Sequence, residues 1–386
     1  MPMEIVAKHY RTGEPVRITI ENGRILSVQP AGCDADGLDF VSPGWIDLQV
    51  NGYGGHDLNR FPLQPETVAD LTRELFKVGV TRYCPTVITG SRENIAQAFE
   101  AIRLAAERYE AVRRSIAGIH LEGPYLSEKD GSRGAHNKAY IRDPQIGEFE
   151  YWQSVSGGLI KLVTVAPERR GALDFIRYLR DKGVAAAIGH TAADTDTIAA
   201  AAEAGAAMST HLGNGSEVYL HRHRNYVFAQ LADDRLWAAV IADGFHLPPA
   251  LLKIFMRTKR EKLFLVSDST AFAGMPPGVY KSEIGGEVCL SESGKLHVKD
   301  NPEILAGSAS PMVRGIENMV KFGICGLAEA VEMACVRPAL ALGLPEARLA
   351  PGEPSDLVLF RWHEEESRIE VTKTISGGRA VFEREN

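Results

Sequence analysis

The stretch VAAAIGHTAADTDTIAAAAEAGAAMSTH, residues 184–211, contains two short apolar runs separated by an alanine-rich segment. Each run has the length of a buried strand, and alanine is the strongest helix former, so the stretch predicts a strand, a helix ended by glycine, and a second strand. Strands joined through a helix lie parallel in a right-handed crossover. One histidine, His190 or His211, follows each run. The stretch therefore predicts a parallel sheet with two imidazoles at the carboxyl ends of its strands.

The same alternation of strand and helix extends outward in both directions. Amphipathic or alanine-rich helical stretches separate the apolar runs. The strand candidates are WIDLQV (45–50), VTRYCPTVI (80–88), SIAGIHL (115–121), LIKLVTVA (159–166), VAAAIG (184–189), AAMST (206–210), WAAVIA (237–242) and LFLVS (263–267). About eight such units favour an α/β fold with a closed (β/α)8 TIM-like barrel over a doubly wound sheet.

The two ends of the chain have a different pattern. Residues 1–43 and 352–386 alternate apolar and polar positions between glycine-containing turns, which is typical of short antiparallel strands. We expect these ends to form one small β-sandwich domain, with a barrel of residues 44–351 inserted between them. Residues 275–305 break the alternation and predict a β-hairpin excursion from the barrel.

Composition restricts the class of protein. With 45% hydrophobic and 24% charged residues, the chain has enough apolar material for a core. The net charge of −7 gives no overall attraction to nucleic acid or to an anionic membrane. No leader or membrane-spanning run is apparent, and the five scattered cysteines lack a CxxC pair. We expect a cytoplasmic protein with reduced cysteines, no nucleic-acid partner and no membrane partner.

Polar residues follow several of the predicted strands at the same end. They are Glu122, His190, His211, His246 and Asp268. A single histidine in such a position is more often a hydrogen-bonded structural group than a ligand. Together, however, they lie where barrel enzymes assemble their active sites. Two imidazoles and a carboxylate can hold a divalent ion such as zinc and leave a position for water. The pattern indicates a metal-assisted hydrolase.

Ten motifs occur in an order that resembles the N-acetylglucosamine-6-phosphate deacetylases of the amidohydrolase superfamily. They are PGWIDLQVNGYGG, TRYCPTVITGS, GIHLEGPYL, GAHN, VTVAPE, GHT, THLGNG, IADGFHL, VSDSTAFAG and LAGSASPM. The resemblance covers residues 42–356 and implies hydrolysis of the acetamide of N-acetylglucosamine 6-phosphate, or of a closely related N-acetyl amino sugar, with release of acetate.

The resemblance also implies roles for the residues after the strands. Glu122, His190 and His211 would hold one divalent metal ion, with zinc expected first and iron, cobalt or manganese as alternatives. Asp268 would take a proton from water and deliver it to the leaving amine. His246 would bind substrate and polarise the amide carbonyl.

Further residues would contact the substrate by the same resemblance. They are His136, Asn137, Asn214, Gly215 and Arg222, together with His246. The chain departs from the family around Arg222, where it reads HRHR at residues 221–224. This run either clamps a phosphate through its guanidinium groups or forms a solvated basic loop. The resemblance further implies a homodimer in which such a loop reaches the neighbouring site.

Two alternatives to the sugar phosphate remain. The departure at Arg222 leaves open an amidohydrolase acting on another N-acyl substrate, an unphosphorylated amino sugar or an N-acyl amino acid, and a non-catalytic barrel protein is a third reading. Many amidohydrolases carry a His-x-His pair at the first barrel strand for a second metal. This chain has Gln49 and Asn51 there, and neutral amides are poor ligands for zinc or iron, so we expect one metal.

Overall fold

The computed structural model describes residues 2–282 and 286–385. In chain order its strands are β1 (Met3–His9), β2 (Pro15–Glu21), β3 (Arg24–Pro30), β4 (Phe40–Pro43), β5 (Trp45–Val50), β6 (Gly52–Tyr53), β7 (His56–Asp57), β8 (Val80–Ile88), β9 (Ile119–Glu122), β10 (Ile160–Val165), β11 (Ala185–Ile188), β12 (Ala206–Ser209), β13 (Trp237–Val240), β14 (Leu263–Leu265), β15 (Gly278–Ser282), β16 (Gly286–Leu290), β17 (Leu296–Val298), β18 (Asn301–Leu305), β19 (Leu357–His363), β20 (Arg368–Ser376) and β21 (Arg379–Glu383).

The helices lie mainly between the strands of the central sheet. They are α1 (Pro65–Phe76), α2 (Arg92–Arg108), α3 (Glu110–Ser115), α4 (Ile146–Val155), α5 (Ala172–Asp181), α6 (Thr195–Ala204), α7 (Tyr226–Ala232), α8 (Pro249–Lys259), α9 (Met312–Lys321), α10 (Leu327–Glu332) and α11 (Val336–Ala341), with 3-10 turns at Lys138–Tyr140 and Arg260–Lys262. Within the described residues, none of these helices combines the length and the apolar character needed to cross a bilayer.

Eight parallel strands form the central sheet, in the order β14-β13-β12-β11-β10-β9-β8-β5. A parallel bridge between Val50 and Ser269 joins the first strand to the segment after the last. The backbone N–H groups of Asn51 and Gly52 both donate to the carbonyl oxygen of Ser269, at 2.9 and 3.0 Å. The sheet is thus closed, and the predicted (β/α)8 barrel is confirmed.

Residues 184–211 form β11, α6 and β12. Asp194 precedes α6 and its side chain accepts the N–H of Thr197, which satisfies a donor of the first helical turn. Gly205 ends the helix with a φ of 116°, a left-handed conformation that favours glycine. The two strands pair in parallel, so His190 and His211 emerge at the same end of the barrel.

The strand predicted at residues 115–121 is shorter than expected. Helix α3 continues to Ser115, and β9 begins only at Ile119. Gly118, with a φ of 157°, separates the two elements, and a side chain there would collide with Lys161 on β10. Ile116 already has extended backbone and forms a parallel bridge with Tyr83, so the prediction is wrong for Ser115 and for the interruption at Ala117 and Gly118. A short apolar run has no period that fixes where the preceding helix ends.

Both chain ends contribute to a second, seven-stranded sheet. Its order is β21-β20-β19-β4-β1-β2-β3, and only the β1–β4 pair is parallel. The sheet packs on the barrel through polar contacts as well as apolar ones: Thr374 donates to the carbonyl oxygen of Phe76, and Glu317 accepts the N–H of Ile369. The small β domain thus lies against the barrel helices α1 and α9.

The excursion expected at residues 275–305 contains more than a hairpin. Strands β15 to β18 form a four-stranded antiparallel sheet with its own buried cluster around Val288 and Leu296. Residues 283–285 of this excursion lie outside the described residues. A second reversal at Ser291–Lys295, closed by hydrogen bonds across Gly294, adds β17, and a third reversal between Val298 and Asn301 adds β18.

Candidate active site

Four of the predicted residues come together at the carboxyl ends of the barrel strands. Glu122 is the last residue of β9, while His190, His211 and Asp268 follow β11, β12 and β14. Glu122, His190 and His211 are buried. Parallel strands place their carboxyl ends at one rim, so residues far apart in sequence meet there.

The donor atoms of Glu122 and the two histidines converge on one point. His211 Nε2 lies 3.1 Å from Glu122 Oε1 and 3.1 Å from His190 Nε2, and His190 Nε2 lies 3.3 Å from the same carboxylate oxygen. A tetrahedral ion with bonds of about 2.1 Å separates its ligand atoms by about 3.4 Å. The spacing of the three donors therefore fits a single divalent ion.

The hydrogen-bond pattern supports the same fit. His190 Nδ1 lies 2.9 Å from the carbonyl oxygen of Ser132, which can only accept, so the ring proton is on Nδ1. If the ring is neutral, the lone pair of His190 Nε2 faces the carboxylate oxygen of Glu122, another acceptor, so a cation, either a proton or a metal ion, must lie between them. His211 Nδ1 is buried without a hydrogen-bond partner in the described structure.

His136 borders this group and offers an alternative third ligand. Its Nε2 lies 3.3 Å from His190 Nε2, and its Nδ1 lies 2.9 Å from Thr89 Oγ1. One atom each from Glu122, His136 and His190 lies within 4.8 Å of the others. His211 approaches both Glu122 and His190 more closely, so Glu122, His190 and His211 are the better set, with His136 at the edge.

The amides at the end of the first barrel strand each hold a carboxylate. Gln49 Nε2 donates to Glu122 Oε1 at 2.8 Å, and Asn51 Nδ2 donates to Asp268 Oδ1 at 2.8 Å. Both side-chain amides therefore serve as hydrogen-bond donors to carboxylates of the site.

Backbone strain concentrates at the site. Six residues other than glycine have positive φ in the described part of the chain, and three of them are His190 (49°), His211 (26°) and Asp268 (48°). Such conformations cost of order 1–3 kcal/mol each and cluster at functional sites. Three strand ends are therefore bent to aim their side chains into one pocket.

The carboxylates of the site have opposite electrostatic environments. Burial, followed by repulsion from Glu122, raises the pKa of Asp268 to about 7, against the attraction of His211 and His246. Burial also opposes the charge of Glu122, but hydrogen bonds and attraction from His190 and His211 hold its pKa well below the usual value. Two carboxyl groups with separated pKa values are suited to different roles, ligand and proton carrier.

His246 belongs to a turn that follows β13. Its Nδ1 lies 2.7 Å from Asp243 Oδ2, and Asp243 Oδ1 accepts the backbone N–H groups of Phe245 and His246. The carboxyl group of Asp243 is 3% exposed and the imidazole of His246 is 10% exposed. The turn thus presents the Nε2 edge of His246, the only ring nitrogen that Asp243 leaves available.

The remaining predicted substrate residues are less central. Gly215 lies against His190, since a Cβ there would be 2.7 Å from Nδ1, while Asn214 donates to the carbonyl oxygen of His211. Asn137 is exposed and caps a 3-10 turn. Arg222 is exposed in the surface loop and, among the described residues, makes no hydrogen bond or ion pair to the site. Within residues 2–282 and 286–385, neither Asn137 nor Arg222 makes a hydrogen bond or ion pair with Glu122, His190 or His211.

Sequence reasoning missed a polar layer directly beneath the site. His120 Nε2 lies 2.8 Å from Thr164 Oγ1, which lies 2.8 Å from Thr210 Oγ1. Burial lowers the pKa of His120 to about 4, so the ring is neutral. His120 is two residues before Glu122, and the twofold period of a strand places both on the inner side. This alternation along β9 is the sequence signal that could have placed His120 beside the predicted site.

The sequence matches the profile of the Amidohydrolase family over residues 40–381. Similar proteins include N-acetylglucosamine-6-phosphate deacetylase of Bacillus subtilis (strain 168), 34% identical over 88% of this chain and 84% of the relative. N-acetylgalactosamine-6-phosphate deacetylase of Escherichia coli O157:H7 is 31% identical over 89% of both chains.

Solved structures agree with the sequence relatives. A mutant N-acetyl-D-glucosamine-6-phosphate deacetylase from Mycobacterium smegmatis, in complex with N-acetyl-D-glucosamine-6-phosphate, superposes with a TM-score of 0.86 at 31% identity, covering 98% of this chain and 99% of that one. The Thermotoga maritima N-acetylglucosamine-6-phosphate deacetylase gives a TM-score of 0.84 at 26% identity over the full length of both chains. The chain therefore belongs to the amidohydrolase family and, within it, to the N-acetylglucosamine-6-phosphate deacetylases.

Proposed function

We propose that this protein hydrolyses the acetamide of N-acetylglucosamine 6-phosphate, giving acetate and the free amino sugar phosphate. The convergence of Glu122, His190 and His211 next to Asp268 is the observation that carries the proposal. Relatives with this activity over most of both chains support the substrate class.

Glu122, His190 and His211 would hold one divalent ion, with zinc the first choice from the donor set and iron, cobalt or manganese compatible with it. When bound, the ion supplies Lewis-acid polarisation of the amide carbonyl and acidifies water. Metal analysis of protein purified without chelators, compared with a Glu122→Gln variant, tests this assignment. A stoichiometry well below one ion per chain after supplementation with each metal would contradict it.

Asp268 would act as the proton carrier of the reaction. Asn51 occupies Asp268 Oδ1, so Oδ2 is available to take a proton from the attacking water and to return it to the nitrogen of the leaving amine. His246 would approach the carbonyl oxygen through Nε2. His136 borders the ligand group and would line the substrate pocket, with Asn214 and Gly215 on the other side of His190.

N-acetylgalactosamine 6-phosphate is the second candidate substrate, because one relative at 31% identity carries that activity. Acetate release should be measured on both sugar phosphates, on their unphosphorylated forms, on N-acetylmannosamine and on N-acetyl amino acids. We expect the 6-phosphates to be preferred. A preference for unphosphorylated sugars or for N-acyl amino acids would reject the sugar-phosphate assignment.

We also propose that the protein is a homodimer, in which Arg222 and Asn137 serve sites shared with the second chain. Val218 and Tyr219, beside the basic run, are 89% and 92% exposed, and clustered exposed apolar side chains are typical of association surfaces. Light scattering should give a dimer for the wild type and a smaller mass for Tyr219→Lys. Leu26→Lys, at a 58% exposed site on the small sheet, is the control. A monomeric wild type would contradict the proposal.

A reducing compartment such as the cytoplasm suits the chain. All five cysteines are free, and two of them, Cys84 and Cys335, are buried. Fractionation of the source cells tests the location.

A further inference from the structure

The turn from Asp243 to His246 is held by one carboxyl group. Asp243 Oδ1 accepts the backbone N–H groups of Phe245 and His246 at 2.8 and 2.9 Å, and Oδ2 lies 2.7 Å from His246 Nδ1. Gly244, between them, has a φ of 88°, and Asn318 on α9 donates to the carbonyl oxygen of Ala242. Both the turn and its entry are thereby fixed.

The position of the ring proton follows from these contacts. Burial opposes a charge on Asp243, but the hydrogen bond and the attraction from His246 hold its pKa below the usual value, so the group is a carboxylate. A carboxylate only accepts hydrogen bonds, so Nδ1 of His246 must donate. The imidazole can then act on a substrate only through Nε2.

We propose that Asp243 is a positioning residue for the deacetylation. Its carboxylate fixes a proton on Nδ1 of His246, so the imidazole acts on the substrate through Nε2. In this role the ring is positively charged and forms an ion pair with Asp243. The proposal rests on the role given to His246 above. A neutral ring with its proton on Nδ1 would point a lone pair at the carbonyl oxygen and repel it. To donate a hydrogen bond there, Nε2 needs its own proton, and the carboxylate of Asp243 balances the resulting charge.

The Asp243→Asn substitution tests the positioning role because it changes the contact with His246 Nδ1 while the side chain keeps its size and shape. The amide oxygen of asparagine can keep both backbone hydrogen bonds of Oδ1, so the turn is retained. Its NH₂ group, in place of Oδ2, donates to Nδ1 and moves the ring proton of a neutral imidazole to Nε2. Glu370→Gln is the matched control: it removes the carboxylate that lies 3.2 Å from His363 Nε2 in the small sheet, away from the site.

Two measurements are needed. Nitrogen NMR of histidine-labelled protein, with the His246 signal assigned from a His246→Gln variant, should show Nδ1 protonated in the wild type and the proton pattern changed in Asp243→Asn. Steady-state kinetics should show kcat lowered by about 100-fold with KM changed far less. The variant keeps a neutral N–H donor at Nε2 but loses the positive charge of the ring, which stabilises the oxyanion only in the transition state. Glu370→Gln should match the wild type in both.

A double-mutant cycle separates positioning from a general structural effect. If Asp243 acts through His246, Asp243→Asn should cause no further loss of kcat in a His246→Gln background. Losses that multiply, or an unprotonated Nδ1 in the wild type, would overturn the proposal. The NMR measurement does not depend on turnover. An inactive wild type would refute the proposed function, whereas the protonation of Nδ1 seen by NMR would still decide whether Asp243 positions His246.

Discussion

At the scale of single residues, Asp268 combines features that seldom occur together. It is half-buried, has a φ of 48°, and has a pKa raised to about 7 by desolvation and by the nearby Glu122 carboxylate. A carboxyl group that titrates near neutral pH can both take and return a proton. These features oppose stability and favour the proposed chemistry.

The Asp268→Asn variant should lose activity and gain stability. Asparagine tolerates positive φ and can still accept from Asn51, but it cannot carry the proton. We expect kcat to fall by about 10²–10⁴-fold, while the unfolding temperature rises because a desolvated charge is removed. Activity, metal content and thermal melts should be compared with the wild type. Near wild-type turnover would show that the acid/base assignment is wrong.

Gly215 packs against the ring of His190 and should tolerate no side chain. In Gly215→Ala the new Cβ would lie 2.7 Å from His190 Nδ1 and would displace the imidazole. We expect metal affinity to fall by about 10-fold or more, as for other groups that orient a ligand. Chelator competition measures the affinity. Gly13→Ala is the control, because Gly13 also has positive φ (72°) but has no atom within 4 Å of the added Cβ; it should lose stability only.

At the scale of elements, the barrel closes where β5 meets the segment after β14, and a buried carboxyl group lies at this junction. Asp47 Oδ1 accepts the N–H groups of Gln49 and Ser267, at 3.3 and 3.1 Å. Burial raises the pKa of Asp47 to about 6, although these hydrogen bonds lower it. The folded barrel thus binds a proton on Asp47 more tightly than the unfolded chain does.

This proton gives a defined pH dependence of stability. Because the folded pKa is raised, the contribution of Asp47 is greatest below the unfolded value of about 3.9 and declines as pH rises through about 6. The free energy of unfolding of Asp47→Asn relative to wild type should therefore rise with pH across this window, by up to about 3 kcal/mol. Denaturant titrations from pH 4 to 7.5 measure the difference. A difference independent of pH would mean that Asp47 is not protonated in the folded barrel.

At the scale of the whole molecule, the proposed metal ligands Glu122, His190 and His211 come from the ends of three strands that are separate in sequence. An ion that binds only the folded protein stabilises it by about 4 kcal/mol at a thousandfold excess over Kd. A chelator should therefore lower the unfolding temperature of the wild type, and zinc should restore it. Glu122→Gln should respond much less to either treatment. Equal shifts of the unfolding temperature in the two proteins would show that the ion does not bind at Glu122.

The sequence by itself determined the barrel and the list of residues at its rim. Apolar runs alternating with helices are a local pattern, and parallel strands place their carboxyl ends together, so Glu122, His190, His211 and Asp268 could be named in advance. The end of α3 at Ser115 and the interruption of the strand at Ala117 and Gly118 could not be predicted, because short apolar runs have no decisive period.

Only the tertiary structure decided which partners these residues have. The contacts of Gln49 with Glu122, of Asn51 with Asp268, and of His120 with Thr164 join strands 44 to 217 residues apart. Sequence spacing fixes neither side-chain direction nor the backbone bends at His190, His211 and Asp268. These depend on strand register and closure of the sheet, which are properties of the complete barrel, because each strand end is aimed by the packing of its neighbours.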